Sequence, residues 1–135
     1  MSGKINCIAL VDDDEVTNFL NKRLVESSGL FNHILTFSNG KEILDYMTDG
    51  DGVEPDVILL DINMPVMNGF DFLEHHKNLP NANKAEMVIA MLTTSLLEKD
   101  RIRAEALEIT EYVEKPLSVD KLKVLLNKHL DKLID

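Results

Sequence analysis

Short aliphatic runs separated by helix-length segments are the feature that most constrains the fold. The runs that predict strands are Ile5–Val11, Ile34–Phe37, Val57–Leu60, Met87–Leu92 and Glu111–Val113. The first, third and fourth runs are almost continuously apolar, which is typical of strands covered by helices on both faces. Strands that alternate with helices predict a parallel sheet joined by right-handed crossovers.

Apolar residues at helical spacing predict five helices between and after the strands. These residues are Val16, Phe19, Leu20 and Leu24 in the first; Ile43, Leu44 and Met47 in the second; Phe70, Phe72 and Leu73 in the third; Ile102 and Ala106, both expected to face inward, in the fourth; and Leu122, Leu125, Leu126 and Leu133 in the fifth. Gly29 is expected to end the first helix and Ser118 to cap the fifth. We therefore expect a flavodoxin-like, doubly wound α/β fold with a five-stranded parallel sheet of strand order 2-1-3-4-5 and five helices.

Length and charge limit the classes of function. The 135 residues fit one domain with a proper core. A net charge of −10 would repel nucleic acid phosphates and disfavours direct DNA binding. The N-terminal apolar run is too short for a signal peptide or membrane span, so a cytoplasmic protein is expected. The chain ends with the fifth helix, so residues 1–135 are expected to form a single domain with no output domain.

Acidic residues follow two of the predicted strands. Asp12, Asp13 and Asp14 come directly after the first strand, and Asp61 ends the third. Strands one and three are neighbours in the expected order, and ligands bind beyond the carboxyl ends of strands at this switch point. Two carboxylates ~4 Å apart repel by about 4 kcal/mol at an effective dielectric near 20. Protons or a cation must relieve that repulsion, and oxygen ligands suit Mg²⁺ better than zinc.

The fourth and fifth strands end in residues that complement an anion. Thr93 follows the fourth strand and supplies a hydroxyl donor, while Lys115 follows the fifth and supplies a cation. Both are expected at the sheet edge that carries the acidic residues. Together with the acidic residues they predict a pocket of phosphoryl size, with a metal on one side and an ammonium and a hydroxyl group on the other.

Four ordered motifs carry a resemblance to a known family. They are VDDDE, LLDINMPVMNG, LTTS and EYVEKP, at residues 11–15, 59–69, 92–95 and 111–116. In this order and spacing the sequence resembles the receiver domains of bacterial two-component response regulators, over nearly the whole chain. In its expected single-domain, cytosolic form it looks like the stand-alone, chemotaxis-type regulators. The resemblance implies that the chain is one receiver domain, a phosphoacceptor regulator rather than an enzyme.

The resemblance also implies a role for each matching residue. Asp61 is implied as the phosphoacceptor, and Asp12, Asp13, Asp61 and the backbone carbonyl of Asn63 as Mg²⁺ ligands. Thr93 and Lys115 are implied to stabilise the phosphoryl group, and Thr93 and Tyr112 to form the switch. Met64, Pro65 and Gly69 are implied to shape the loop at the site. Pro116 is also implied as loop-shaping and follows a peptide bond that is usually cis in the family.

Partners are implied in the same way. The implied phosphoryl donor is a phosphohistidine on a sensor histidine kinase or histidine phosphotransfer protein. Once phosphorylated, the site would draw Thr93 toward the phosphoryl group, let Tyr112 swing inward and reshape the face of helix four, strand five and helix five. That face would bind a downstream protein, with phosphorylation-dependent dimerisation left open. Mg²⁺-dependent self-phosphorylation and slow self-dephosphorylation are implied too, with Asn63 and Ser95 helping to set the phosphate lifetime.

Two residues depart from the family pattern. Glu108 stands in the turn before strand five, where the family usually has glycine, so a different cap is expected at the end of helix four. Thr94 stands where a small residue is common. Its β-branched side chain is expected to narrow access to Asp61 and slow phosphoryl exchange.

Two alternative functions stay open at this point. The segment from Asp12 to Val16 also resembles the D-x-D-x-V motif of haloacid-dehalogenase-type phosphatases, with Asp12 as nucleophile and Asp14 as general acid. Against this reading, no acidic pair follows a strand after Lys115, and the DINMPVMNG segment would have no role. The second alternative is a pseudo-receiver, an interaction module that never carries phosphate.

Overall fold

The computed structural model describes residues 4–79, 87–94 and 97–133. Its five strands are parallel and lie in the order β2-β1-β3-β4-β5, which confirms the predicted fold. They are β1 (Ile5–Val11), β2 (Phe31–Phe37), β3 (Val57–Asp61), β4 (Val88–Thr93) and β5 (Glu111–Glu114). Ser95, the predicted loop at residues 79–84 beyond Leu79, and the predicted start of helix four near Leu96 lie outside the described residues.

Five crossover and terminal helices flank the sheet, followed by one short helical turn. They are α1 (Glu15–Ser28), α2 (Gly40–Asp49), α3 (Gly69–His76), α4 (Glu98–Ala106), α5 (Val119–Asn127) and α6 (Leu130–Leu133). The predicted fifth helix therefore stops at Asn127, and Leu133 packs against the core from α6. As predicted, Gly29 ends α1 with φ of 69° and Ser118 caps α5 by accepting from Lys121 N. Within the described ranges, no helix has the length and apolar character needed to span a bilayer.

The sheet separates two apolar clusters. Alternate residues of one strand point to opposite sides, so that Leu59 joins the cluster under α1 and α5 while Leu60 joins the cluster under α2, α3 and α4. Both residues have no exposed surface. This two-sided burial explains why the central strands have continuous apolar sequences. It also means that polar side chains of these strands are accommodated at the strand ends.

The packed face of α1 differs from its apolar stripe. Val16, Phe19 and Leu20 are 64%, 57% and 58% exposed, and Leu24 alone of the stripe packs against the core. The residues that α1 buries are Asn18, Asn21 and Val25. The apolar stripe at helical spacing is therefore not the packed face of α1, because Asn18 on the buried side donates to the backbone carbonyls at two strand ends.

The inward face of α4 was also predicted wrongly. Ile102 is 57% exposed and Ala106 is exposed, whereas Ala104 is fully buried. A small side chain at the contact lets the helix backbone approach its neighbours closely. Arg103 of α4 makes a cation–π contact with Phe70 of α3, with its guanidinium carbon 4.7 Å from the centre of the ring. The larger apolar side chains of α4 are therefore left on the surface.

The expectation that α4 ends in a different cap because Glu108 replaces glycine was wrong. Glu108 itself adopts the left-handed conformation, with φ of 66°. Ile109 N donates to Ala104 O at 2.9 Å and Glu108 N donates to Glu105 O at 2.9 Å. These two hydrogen bonds form the Schellman motif that a glycine at this position would form. The chain therefore keeps the turn and accepts the steric strain of a side chain in it.

Candidate functional site

Strand register brings four chain segments to one edge of the sheet. β1 and β3 pair up to the residues that precede Asp12 and Asp61, so these two carboxylates lie side by side at the carboxyl end. β4 and β5 end next to them, at Thr93 and just before Lys115. The structure therefore brings together the acidic, hydroxyl and basic groups that the sequence placed on four separate strands.

Three carboxylates form the acidic part of the site. Asp12, Asp13 and Asp61 each place one oxygen within 4.8 Å of the others. Asp12 is 2% exposed, the Asp61 side chain is 13% exposed and Asp13 is exposed at the rim. In the described part of the chain, this is the group of three acidic or metal-ligating residues with such spacing. A set of hard oxygen donors with excess negative charge and one open side fits Mg²⁺.

Asp12 is held on both carboxylate oxygens. Its Oδ1 accepts from Asp14 N at 2.9 Å, and its Oδ2 accepts from Lys115 Nζ at 2.8 Å. Asp14 turns the other way and caps α1, where it accepts from Val16 N and from the Thr17 hydroxyl. The Thr17 hydrogen bond is the main reason that the pKa of Asp14 lies below its ordinary value. Asp14 therefore serves the helix and not the acidic group.

Lys115 bridges the two inner carboxylates. Its ammonium lies 2.8 Å from Asp12 Oδ2 and 3.4 Å from Asp61 Oδ1. Lys115 N donates to Thr93 O at 2.7 Å, and the peptide bond to Pro116 is cis. Burial lowers the pKa of Lys115, but its hydrogen bond to Asp12 and the charges of both carboxylates outweigh burial and raise it above the ordinary value. The ammonium therefore stays charged at neutral pH.

The carboxyl group of Asp61 has a pKa above its ordinary value. Burial is the largest influence on its carboxyl group, and the neighbouring Asp12 adds to it, so that the pKa of Asp61 rises from 3.8 to about 6. Lys115 and the Ile62 amide, which donates to Oδ1 at 3.0 Å, oppose that rise. One ammonium does not balance three carboxylates, and a cation at the open side would lower the pKa of Asp61.

The loop after Asp61 is closed by a glycine. Gly69 N donates to Ile62 O at 2.9 Å, and a Cβ on Gly69 would lie 2.5 Å from Asp61 O. Only glycine allows this approach. Met64 is 8% exposed and packs into the core, while Asn63 and Pro65 are exposed. Of these residues, Gly69 lies against the backbone of Asp61, and Asn63 lies at the surface.

A tight turn forms the tip of the same loop. Met67 N donates to Pro65 O at 2.7 Å across Val66, whose φ is 67°. A three-residue turn with a positive φ at its centre is strained, more so for a β-branched residue. Gly40 N at the start of α2 donates to Met67 O at 2.9 Å and ties the turn to that helix.

Thr93 and Tyr112 lie on the same face of the sheet. Thr93 pairs with Glu114, and Tyr112 is two residues before Glu114 on β5, so both side chains project toward the α4 side. Tyr112 is partly buried against the apolar cluster there, and its hydroxyl donates to Ile109 O at 3.4 Å. Burial raises the pKa of Tyr112. Thr93 and Tyr112 therefore lie on one face of two neighbouring strands.

A groove of about 470 Å³ adjoins the site and was not foreseen from the sequence. Its lining residues are Thr17, Leu20, Asn21, Leu24, Thr94, Lys115, Pro116 and Leu117. The exposed apolar side of α1 forms one wall, and Lys115 connects the groove to the carboxylates. Exposed aliphatic residues on an otherwise polar helix were the available signal, but helical spacing alone assigns them to the core.

Comparison with known proteins identifies one family over most of the chain. The family model described as the response regulator receiver domain matches residues 8–127. Two-component response regulator 24 of Arabidopsis thaliana is 31% identical over 119 residues, which cover 88% of this chain and 80% of that protein. Sensor histidine kinase CheAY of Helicobacter pylori is 28% identical over 129 residues, which cover 91% of this chain but 15% of that protein.

Solved structures agree with this match. The crystal structure of a two component response regulator from Cytophaga hutchinsonii has a TM-score of 0.83 to this chain at 31% sequence identity. The similarity covers 95% of this chain and 98% of that one. The fold of this chain is thus the fold of that response regulator.

Proposed function

This chain belongs to the response regulator receiver domain family, and we propose that it is a phosphorylation-dependent switch in which Asp61 accepts the phosphoryl group. The observation that carries this proposal is the juxtaposition of Asp61 with Asp12, Asp13 and Lys115. Asp61 is partly buried yet reachable, and Lys115 lies 3.4 Å from its Oδ1. A partly exposed carboxylate beside a fixed ammonium suits attack on an anionic phosphoryl group.

Mg²⁺ is the proposed cofactor. Asp12, Asp13, Asp61 and the backbone carbonyl of Asn63 would hold it, because the three carboxylate groups converge and Asn63 follows them on the exposed loop. Bound there, the ion would offset the repulsion between the carboxylate and the phosphoryl oxygens and align the two reactants.

The protein's own groups carry the rest of the proposed reaction. Lys115 would neutralise charge on the equatorial oxygens of the transferred group, and the Thr93 hydroxyl would donate to one of them. The Asp61 oxygen attacks phosphorus as the bond to the donor nitrogen breaks, and the product is an acyl phosphate. Water later attacks this phosphate and restores the carboxylate, which makes the signal self-limiting.

The donor is proposed to be a histidine kinase or histidine phosphotransfer protein. CheAY, a relative over the receiver segment, is itself named a sensor histidine kinase. A donor must reach Asp61 from the open edge of the sheet, and Leu20 of α1, which is 58% exposed, lines the groove beside Lys115 at that edge. The groove that Leu20 shares with Lys115 makes this part of α1 continuous with the site.

The output is proposed to be the face of α4, β5 and α5, which would bind a downstream protein. Ile102 and Val124 are 57% and 60% exposed there. Tyr112 lies on β5 on the same side of the sheet as Thr93, and this shared side supports the proposal that Tyr112 transmits a change at Thr93 to the face. Phosphorylation-dependent dimerisation through this face is a second form of the same output, and the proposed location is cytoplasmic.

Mass measurement after incubation with acetyl phosphate and Mg²⁺ tests the proposal. We expect one phosphoryl adduct on Asp61, no adduct in Asp61→Asn, and no adduct when EDTA removes the metal. An adduct on Asp12 would instead support the phosphatase alternative. No adduct in the unaltered protein, together with no response to beryllofluoride, would overturn the proposal and favour the pseudo-receiver.

A further inference from the structure

The buried amide of Asn18 joins the ends of β1 and β2. Regular pairing of these strands ends at Val11 and Phe37. Beyond it, Asn18 Nδ2 donates to Asp12 O at 2.8 Å and to Phe37 O at 3.0 Å. Both amide hydrogens of one planar group are thus used on two strand ends. Asn18 is 9% exposed, so these hydrogen bonds are shielded from water.

The hydrogen bond to Asp12 O fixes the peptide that carries Asp13. Asp12 N donates to Phe37 O at 3.1 Å, so the backbone of residue 12 is held on both its donor and its acceptor. Asp13 follows directly and its side chain is exposed, so its direction depends on the orientation of that peptide. In this arrangement one oxygen of Asp13 lies within 4.8 Å of the other two acidic groups.

From this geometry we propose that Asn18 is a positioning residue that sets the affinity of the acidic site for Mg²⁺. It acts through the Asp12–Asp13 backbone and does not touch the ion. The inference rests on the proposed function, because that function makes Asp12 and Asp13 metal ligands. Groups that orient metal ligands contribute substantially to affinity, and their loss typically weakens metal binding about 10–100-fold.

The acceptor side of the same amide indicates that the position uses the donors of Asn18. Asn18 Oδ1 is buried, and no donor in the described residues hydrogen-bonds to it. A buried acceptor without a donor is unfavourable, and an aliphatic residue of similar size would avoid it. The two hydrogen bonds to the strand ends therefore account for the amide at this position.

A matched pair of variants tests the proposal. Asn18→Leu keeps the approximate size of the residue but removes both donors. Asn21→Leu is the control, since Asn21 is 8% exposed on the same helix and, in the described chain, does not hydrogen-bond to Asp12 or Phe37. Calorimetric titration of each unphosphorylated protein with MgCl₂ gives Kd, and urea unfolding confirms that each variant is folded. We expect Kd to rise about tenfold or more in Asn18→Leu and to stay unchanged in Asn21→Leu.

Each possible result of the titration either supports or overturns the proposed role of Asn18. Equal Kd values for the two variants would overturn the role of Asn18 while leaving the proposed function intact. Failure of the unaltered protein to bind Mg²⁺ would overturn the proposed function and this inference together. If Asn18→Leu does not fold, NMR hydrogen exchange of the side-chain amides in the unaltered protein decides: Mg²⁺ should slow exchange at Asn18 more than at Asn21, and equal effects would overturn the proposal.

Discussion

At the scale of single residues, the carboxyl group of Asp61 links function to stability. Burial and Asp12 raise its pKa from 3.8 to about 6. A pKa raised by folding means that the folded state favours the protonated carboxyl. The stability contributed by this preference is fully present below the unfolded pKa and is lost as pH rises through about 6. At neutral pH the ionised Asp61 therefore destabilises the metal-free protein.

Asp61→Asn should consequently stabilise the metal-free protein at neutral pH. The raised pKa of Asp61 sets an upper limit of about 3 kcal/mol on this gain in unfolding free energy. Because solvent at the open side of the site reduces the gain, we expect about 1–3 kcal/mol at about pH 7.5. The gain should shrink toward zero at about pH 4. Urea unfolding across this pH range measures it, with the exposed loop variant Asp51→Asn as control. A gain independent of pH would contradict the assignment to Asp61.

Loss of the Thr93 side chain should separate phosphorylation of Asp61 from the structural response at Tyr112. Thr93→Ala removes the hydroxyl proposed to follow the phosphoryl group but leaves Asp61 and Lys115 in place. We expect beryllofluoride still to bind but to change the fluorescence of Tyr112 less than in the unaltered protein, measured in a Tyr46→Phe background. Thr94→Ala, one residue on and exposed, is the control. A full Tyr112 response in Thr93→Ala would exclude the proposed coupling.

At the scale of structural elements, the loop from β3 to α3 depends on one close backbone approach. Gly69→Ala would place a methyl group 2.5 Å from Asp61 O. The backbone there must shift, and we expect a loss of about 1–3 kcal/mol in unfolding free energy. Phosphorylation of Asp61 by acetyl phosphate should slow as well, because the displaced group is the backbone of the phosphoacceptor.

Gly52→Ala is the matched control for that variant. Its new methyl group would meet only the ring end of Tyr46, which can move. It should therefore destabilise less and leave the rate of phosphorylation unchanged. Equal effects of the two substitutions on phosphorylation would show that the approach of Gly69 to Asp61 is not what shapes the site.

The end of α4 offers the opposite change, a gain in stability. Glu108→Gly relieves a side chain held at φ of 66° and keeps the Schellman hydrogen bonds. We expect a gain of about 1 kcal/mol in thermal or urea unfolding. Glu108→Ala removes the charge but keeps the strained Cβ, so it should show little gain. A similar gain from both variants would assign the effect to charge.

At the scale of the whole molecule, the net charge of −10 makes specific and general ion effects easy to confuse. Any salt should stabilise the fold by screening repulsion. Mg²⁺ bound at the acidic site should add to this, by about 1.4 kcal/mol at about ten times Kd. Melting temperatures in MgCl₂ and in NaCl of equal ionic strength separate the two effects. Asp13→Asn should lose most of the difference, and equal responses to both salts in the unaltered protein would argue against a bound ion.

The strand pattern made most of this architecture predictable. Continuous apolar runs mark strands buried on both faces, so β1 was predicted to the residue and β3 to within one. The order of parallel strands then placed Asp12, Asp61, Thr93 and Lys115 at one edge, because the carboxyl ends of parallel strands coincide. β2 begins three residues earlier than predicted, at Phe31, since its polar first half is held by pairing with β1.

What the sequence determined by itself was therefore the sheet, its order and the chemistry at its edge, because burial on two faces leaves a signature in every central strand. Which residues α1 and α4 bury was decided only by the tertiary structure. Asn18 is buried while Phe19 is exposed because the carbonyls of two strand ends, brought together only by folding, accept hydrogen bonds from the Asn18 amide nitrogen. A partner supplied by distant chain segments leaves no trace in local periodicity.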